Sequence, residues 1–236
     1  MTTHVLRHAE TDHSRRYLVN GDPGLLLPLN EDGRRSCGQV WHTLPLRNTA
    51  TWLSSEFLRA RQTAAALMAV PTPDLVVDPR LNELAYGDFE GGPFLAYAAW
   101  LQRWGGWQRP PGGRESQREG IRRMLLGLLA AVDQPGPRII VCHGLLASVL
   151  HWYQDRTGDA PMPLFFPEAP YLQPISFENA ELQRCAEDLL AYLADEKEVV
   201  NAGAGGAEVF RIGAQRDVAT FDRVNHPHAQ RETPDA

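Results

Sequence analysis

An α/β fold with a largely parallel central sheet is what this sequence predicts, and three observations carry it. Short β-type runs alternate with helical runs at the spacing of βαβ units along the chain as far as Asp155. Two polar clusters, Arg7-His8 and His143-Gly144, follow directly on two of those runs. A hydrophobic share of 43 % over 236 residues suffices for a full core without disulfides or a structural metal, because a chain of this length buries roughly 70 to 75 % of its extended surface on folding.

Val5-Leu6 is the first β-type run and stops at Arg7-His8; the Gly/Pro-rich stretch Asn20 to Pro28 then reads as loop. Glu31 to Leu44 reads as a helix ended near Pro45, Thr51 to Leu53 as a strand, and Ser55 as the cap of a helix through Leu67. Val76-Val77 suggests another strand. After the Gly-rich Gly87 to Gly92 come a helix from Phe94 to Trp104, a Gly/Pro break over Gly105 to Gly113, and a long helix from Glu115 to Val132. Ile139-Ile140-Val141 is a buried strand and Leu145 to Gln154 a helix. Beyond Asp155 the pattern weakens into a Pro-rich Pro161 to Pro174, a β-like Ile175 to Phe177, and an amphipathic helix near Glu181 to Val199. A Gly/Ala linker Asn201 to Ala207, a final strand Val209 to Ile212 and a frayed tail from Asn225 complete the reading, so one domain is expected over 1–224 and a flexible tail over 225–236.

A net charge of −6 argues against general affinity for nucleic acid or anionic membrane, so any anion must be bound by a local pocket. Of 23 basic side chains Lys197 is the single lysine, and arginine is the better planar, bidentate phosphate ligand. Cys37, Cys142 and Cys185 are too few and too far apart for a disulfide framework or a metal knuckle and read as buried thiols. The longest nearly unbroken apolar run, Met124 to Val132, is nine residues where a membrane helix needs about twenty, and Met1 to His8 lacks a signal-peptide stretch. A soluble cytoplasmic protein is expected.

His8 and His143 both stand where strands of this class present their carboxyl ends to a shared ligand crevice. His4, four residues before His8, has a metal-like interval that on a strand is ordinarily accidental packing. Four segments then combine: Arg7-His8-Ala9-Glu10-Thr11, Ser54-Ser55-Glu56-Phe57-Leu58-Arg59-Ala60-Arg61-Gln62-Thr63-Ala64, Leu81-Asn82-Glu83-Leu84-Ala85-Tyr86-Gly87-Asp88-Phe89-Glu90-Gly91, and Val141-Cys142-His143-Gly144. In kind and in order they resemble the histidine phosphatase superfamily, the phosphoglycerate-mutase-like group. The resemblance runs from Val5 to Leu150 and includes Leu29-Asn30-Glu31-Asp32-Gly33, similar to the family's Leu-Thr-x-x-Gly helix start; the last third matches only loosely.

The resemblance implies a three-layer α/β/α architecture, a helical cap insertion at about 93–118, and a metal-independent, cofactor-free phosphomonoesterase acting on a small phosphorylated metabolite. Phosphate-monoester cleavage needs neutralised equatorial oxygens, an in-line nucleophile and a proton for the leaving oxygen. His8 is the implied nucleophile, forming a phosphohistidine; Arg7, Arg59 and His143 are the implied phosphate cradle; Glu83 is the implied acid and base. Arg61, Glu10 and Glu90 are the alternatives to Arg59 and Glu83. Where many relatives carry a phosphate-touching Asn six positions after the nucleophile this chain has Ser14, a shorter candidate phosphate ligand. Ala9 replaces the usual glycine, and Arg114 is inserted in Gly112-Gly113-Arg114-Glu115-Ser116. The mutases' longer Gln-Ser-Glu-Trp-Asn and Glu-Arg-x-Tyr-Gly-x-Leu patterns are absent, which favours a phosphatase over a mutase or a non-catalytic phosphate-binding module. Tyr97, Trp100, Trp104 and Trp107 fall near one helical face as either core or substrate rim, with Phe94 beside them and with Arg103, Arg109 and Arg114 as possible second anion contacts. The oligomeric state and the substrate's identity stay open at this point.

Overall fold

The computed structural model describes residues 1–40, 48–68, 75–158 and 160–204. Contacts divide the chain into one unit, Met1–Lys197, and a second starting at Glu198, of which the described residues include only the end of a helix. Five strands, β1 (Thr2–Arg7), β2 (Thr51–Ser54), β3 (Leu75–Val77), β4 (Arg138–Cys142) and β5 (Ile175–Glu178), form one sheet in the order β3-β2-β4-β1-β5. β4 lies parallel between β1 and β2, β3 is parallel to β2, and β5 closes the other edge antiparallel to β1. The helices are α1 (Asp12–Arg15), α2 (Glu31–Val40), α3 (Leu58–Leu67), α4 (Phe94–Trp104), α5 (Gln117–Val132), α6 (Gly144–Asp155) and α7 (Asn179–Ala204).

Strand periodicity sorts the central strands onto two cores. Val5, Leu53, Ile140 and Cys142 face a cluster with Leu125 and Leu128 of α5, Leu146 and Leu150 of α6, and Leu182 and Leu189 of α7. Their neighbours Leu6, Trp52, Ile139 and Val141 face the other side, against Cys37 of α2 and Ala60, Ala64 and Leu67 of α3. Successive side chains point to opposite faces of a sheet, so strands covered on both sides read as continuous apolar runs. The result is the α/β/α layering. Each fully buried aliphatic side chain contributes about 1.5–3 kcal/mol, and truncating one such as Leu128 to alanine costs about 2–5 kcal/mol. A third, smaller cluster of Val19, Leu84, Tyr86, Tyr97 and Leu101 sits under α4.

α2 starts where Asn30 Oδ1 accepts from the Gly33 amide at 2.7 Å, and it can lie against the loop after β1 only because residue 33 lacks a side chain: a Cβ there would stand 2.2 Å from the Glu10 carbonyl oxygen. The described part of α2 ends at Val40, and the expected end at Leu44 and Pro45 lies outside the described residues. Residues 205–236, with the expected strand Val209 to Ile212 and the tail from Asn225, lie outside them too.

Several expectations are corrected. Ser55 does not cap α3, whose first turn follows Phe57 with no side-chain cap; its hydroxyl is spent on a histidine instead. α5 begins at Gln117 rather than Glu115, because Ser116 and Glu119 close a reciprocal capping box. The segment from Asn201 to Ala204 continues α7, the helix running on through Gly203. The aromatic stripe divides: Tyr97 is 1 % exposed, Trp100 packs on the small cluster, Trp107 packs on the main core, and Trp104 is 55 % exposed. α4 ends at Gly105 with φ +81°, a left-handed residue that turns Trp107 onto a different surface from Trp104.

Candidate active site

Parallel pairing of β1 with β4 places Arg7 opposite Cys142, so the next residues, His8 and His143, emerge together at the carboxyl edge of the sheet. The His8 amide donates to the Cys142 carbonyl at 2.9 Å, and the two rings meet edge to face with centroids 5.2 Å apart. β2, on the other side of β4, leads into α3, whose second residue, Arg59, reaches across both rings. Arg59 Nε donates to His8 Nε2 at 3.1 Å and Nη2 donates to His143 Nδ1 at 3.2 Å, while Nη1 and Nη2 hold the side chain and carbonyl of Asn20 at 2.5 and 3.0 Å.

These contacts settle both tautomers. A guanidinium only donates, so His8 Nε2 and His143 Nδ1 are bare nitrogens. His8 Nδ1 then donates to the Ala9 carbonyl at 2.7 Å, and His143 Nε2 donates to Ser55 Oγ at 2.7 Å. Burial, followed by Arg59 and Arg7, holds His8 well below the ordinary imidazole range; burial, then Arg59 and His8, does the same for His143. Burial lowers Arg59 to about 10, so it stays charged at neutral pH. Phe57 braces the pair, its ring 4.2 Å from the Arg59 guanidinium and edge-on to His143 at 4.7 Å.

Arg7 divides its bonds unevenly. Nη1 donates to Glu168 Oε1 at 2.8 Å and to the Ala169 carbonyl at 2.6 Å, the guanidinium lies 4.0 Å over the Tyr171 ring, and Nε is buried without a partner among the described residues. A Cβ on Gly144 would stand 3.6 Å from Arg7 Nε and 3.8 Å from Glu83 Oε2, so the first residue of α6 leaves room between them. The His143 side chain at the N-cap makes no capping bond, and of the amides at the start of α6 that of Leu145 is taken by Glu83. An orphaned buried guanidinium N–H beside a helix start is a donor that an oxyanion can fill.

Glu83 follows the 3-10 turn Pro79–Leu81, and its Oε1 accepts from the Leu84 amide at 2.9 Å. Burial raises its carboxyl above the usual range, against the opposing pull of the Leu84 and Leu145 amides, Arg59 and Arg7. The loop carrying it is pinned by Arg123 of α5, which donates through Nη1 to the carbonyls of Arg80 and Asn82 at 2.9 Å each and through Nη2 to Glu115 at 2.6 Å. Glu115 in turn accepts from the Ala85 amide at 3.2 Å.

The sequence candidates Arg7, His8, Arg59, His143 and Glu83 thus stand together. Ser14 closes a capping box with Thr11 and its side chain also hydrogen-bonds Tyr171, the ring against the Arg7 guanidinium, while Asn20 bonds Arg59 directly. Glu10 is taken by Arg15 and Asn30, Glu90 by the amides of Gly21 and Tyr86, and Arg61 is exposed. His4 Nδ1 is 2.8 Å from Ser176 Oγ. Arg109 pairs with Glu119, and Arg103 stacks on Trp104. Among the described residues no group of three or more His, Cys, Asp or Glu side chains is placed to hold a metal ion. Ser55, Asn20, Phe57, Glu168 and Tyr171 were not picked out by sequence reasoning. The Ser55 signal was misread as a helix cap, and Glu168 and Tyr171 sit in the Pro-rich stretch that carries no periodic pattern.

A family described as "Histidine phosphatase superfamily (branch 1)" matches residues 3–164. Fructose-2,6-bisphosphatase TIGAR of Xenopus laevis is 33 % identical over 116 residues, 46 % of this chain and 42 % of that one, so the chain spans less than half the length of this curated relative. A phosphoglycerate mutase structure from Thermus thermophilus is 28 % identical with a TM-score of 0.52, covering 66 % of this chain and 85 % of that chain. Bacillus stearothermophilus YhfR, at 24 % identity and a TM-score of 0.60 over 75 % of this chain and 90 % of that one, shares the fold.

Proposed function

The chain belongs to the histidine phosphatase superfamily, branch 1, and from that premise we propose that it is a phosphomonoesterase working through a phosphohistidine on His8. One observation carries the reading: His8 Nε2 is a bare, buried nitrogen kept neutral among Arg7, Arg59 and His143. The lone pair of Nε2 forms the N–P bond as the ester P–O bond breaks. Glu83, whose proton affinity burial has raised, gives its proton to the departing alkoxide. Arg7 Nε and the start of α6 receive the equatorial oxygens, and Arg59 turns from the His8 lone pair to the same group as it arrives. In the second half Glu83 takes a proton from water, the oxygen attacks phosphorus, the N–P bond breaks and inorganic phosphate leaves.

The reading includes catalysis without a metal ion and a location in the cytoplasm, to which three buried free cysteines are suited. No helix among the described residues is long and apolar enough to cross a membrane. The mutase reading has the Thermus relative in its favour and the absence of the mutase motifs around His8 and Glu83 against it. Phosphate release from p-nitrophenyl phosphate, with and without EDTA, is the first test, beside a mutase assay with 2,3-bisphosphoglycerate. Rapid quench should trap an acid-labile, alkali-stable phosphoramidate that His8→Ala abolishes. If His8→Ala kept more than about a thousandth of kcat, a loss of only some 4 kcal/mol, the nucleophile would be another group.

A further inference from the structure

Arg7 meets its surroundings on two different edges. Nη1 carries both of its protein hydrogen bonds, to Glu168 and to the Ala169 carbonyl, while Nε is an orphaned buried donor. The Nε and Nη2 edge is the one that takes an oxyanion with two parallel bonds, and it is the edge beside Gly144. A phosphoryl group bound there shares one guanidinium with the Glu168 carboxylate. The Arg7 side chain is 9 % exposed and that of Glu168 is 53 %, so Glu168 stands at the solvent edge of the cluster.

The position of Glu168 is set by backbone rather than by its own flexible chain. The Ala169 amide donates to Ser148 Oγ at 3.0 Å, the Ala169 carbonyl accepts from Arg7, the Leu172 amide donates to the Arg7 carbonyl at 3.1 Å, and Tyr171 lies flat under the Arg7 guanidinium.

We propose that Glu168 is a specificity-determining residue that selects monophosphate esters with an uncharged leaving group and rejects those carrying a second anion next to the phosphoryl group. This rests on the phosphomonoesterase reading of the site. A second phosphate or carboxylate close to the reacting group meets a carboxylate on the edge of Arg7 that would otherwise attract it. One guanidinium away, at about 6 Å and at a half-exposed position, a like charge changes binding on the order of tenfold.

Glycerol 2-phosphate and 2-phosphoglycerate form a matched pair, differing by one hydroxymethyl against one carboxylate. Their kcat/KM ratio isolates the leaving group, because any effect of Glu168 on the common phosphoryl group cancels. The native chain should prefer glycerol 2-phosphate by about tenfold or more, Glu168→Gln should shrink that preference by about tenfold, and Glu168→Asp should keep most of it. If turnover of either ester is too slow, the same ratio is read from their inhibition constants against p-nitrophenyl phosphate. A ratio unmoved by Glu168→Gln overturns the proposal, whether both activities hold or fall together, since Glu168 would then only position Arg7. A native preference for 2-phosphoglycerate overturns it as well. In each case p-nitrophenyl phosphate hydrolysis leaves the phosphatase reading standing, whereas no hydrolysis of that probe removes both.

Discussion

Two imidazoles buried in neutral form make the stability of this protein depend on pH in a way that single substitutions can dissect. His8 and His143 both have folded-state proton affinities well below the free value of 6.5, chiefly through burial and then through Arg59. An unfolded chain binds a proton at each as pH falls through 6.5; the folded chain does not. Stability from these groups is therefore complete above 6.5 and is lost as pH falls toward their depressed folded values. Between pH 6 and 5 an unfolded histidine is about nine-tenths protonated on average, so each contributes a slope of about 1.2 kcal/mol per pH unit and the pair about 2.4 kcal/mol. His4 and His13 are also lowered and add to the total, so the difference between variants is the quantity to measure. Urea denaturation of the native chain, His8→Gln and His143→Gln at pH 7, 6 and 5 supplies it. Each variant should be flatter than the native chain by about 1.2 kcal/mol per pH unit between pH 6 and 5. A difference under about 0.3 kcal/mol per unit would mean that the imidazoles protonate in the folded state. The neutral nucleophile on which the mechanism depends would then be lost.

Glu83→Gln should depress single-turnover phosphorylation by alkyl phosphates far more than by p-nitrophenyl phosphate, since an acid matters most to a poor leaving group; equal losses would reassign the acid. Because burial raises the Glu83 carboxyl and the protonated form starts the reaction, activity on alkyl phosphates should fall as pH rises through that raised value, and pH–rate profiles should lose this limb in the variant. Arg123→Met, which releases the carbonyls of Arg80 and Asn82, should cost about 1–3 kcal/mol of stability and lower kcat on alkyl phosphates more than it raises KM; an unchanged kcat would leave Arg123 a structural clamp only. Tyr97→Phe should be neutral or stabilising by up to about 1 kcal/mol in thermal melts, because its hydroxyl is buried without a partner; a loss above that would reveal a bond to it. Trp104→Ala, at an exposed position, should change stability by about 0.5 kcal/mol or less, and a larger loss would place Trp104 in the core.

What could be read from the chain was local or periodic. Arg7-His8 and His143-Gly144 follow continuous apolar runs, the pattern of strands covered on both faces, and parallel strands of that kind bring their carboxyl ends to one edge. Three of the four motif segments lay on strand ends and helix starts and the fourth on the loop around two 3-10 turns, and together they named Arg7, His8, Arg59, Glu83 and His143 as a set. The elements between them followed from glycine, proline and capping chemistry, with errors of a few residues at Ser55, Glu115 and Asn201.

Tertiary structure decided which partner each polar group chose. A serine before a helix has two competing uses, and Ser55 accepts from His143, just after β4, at 2.7 Å and more distantly from the Phe57 amide at 3.4 Å, leaving the amides of α3 without a side-chain cap. Ser14 makes the opposite choice, closing a box with Thr11 three residues away. The stretch from Pro161 to Pro174 carries no helix or strand period, so nothing in its sequence says that it folds back 160 residues to lay Glu168, the Ala169 carbonyl and Tyr171 around Arg7. Periodicity reports which face of an element is buried; it is silent on long-range hydrogen bonds from irregular chain, since these are selected by desolvation in the assembled site and leave no repeat behind.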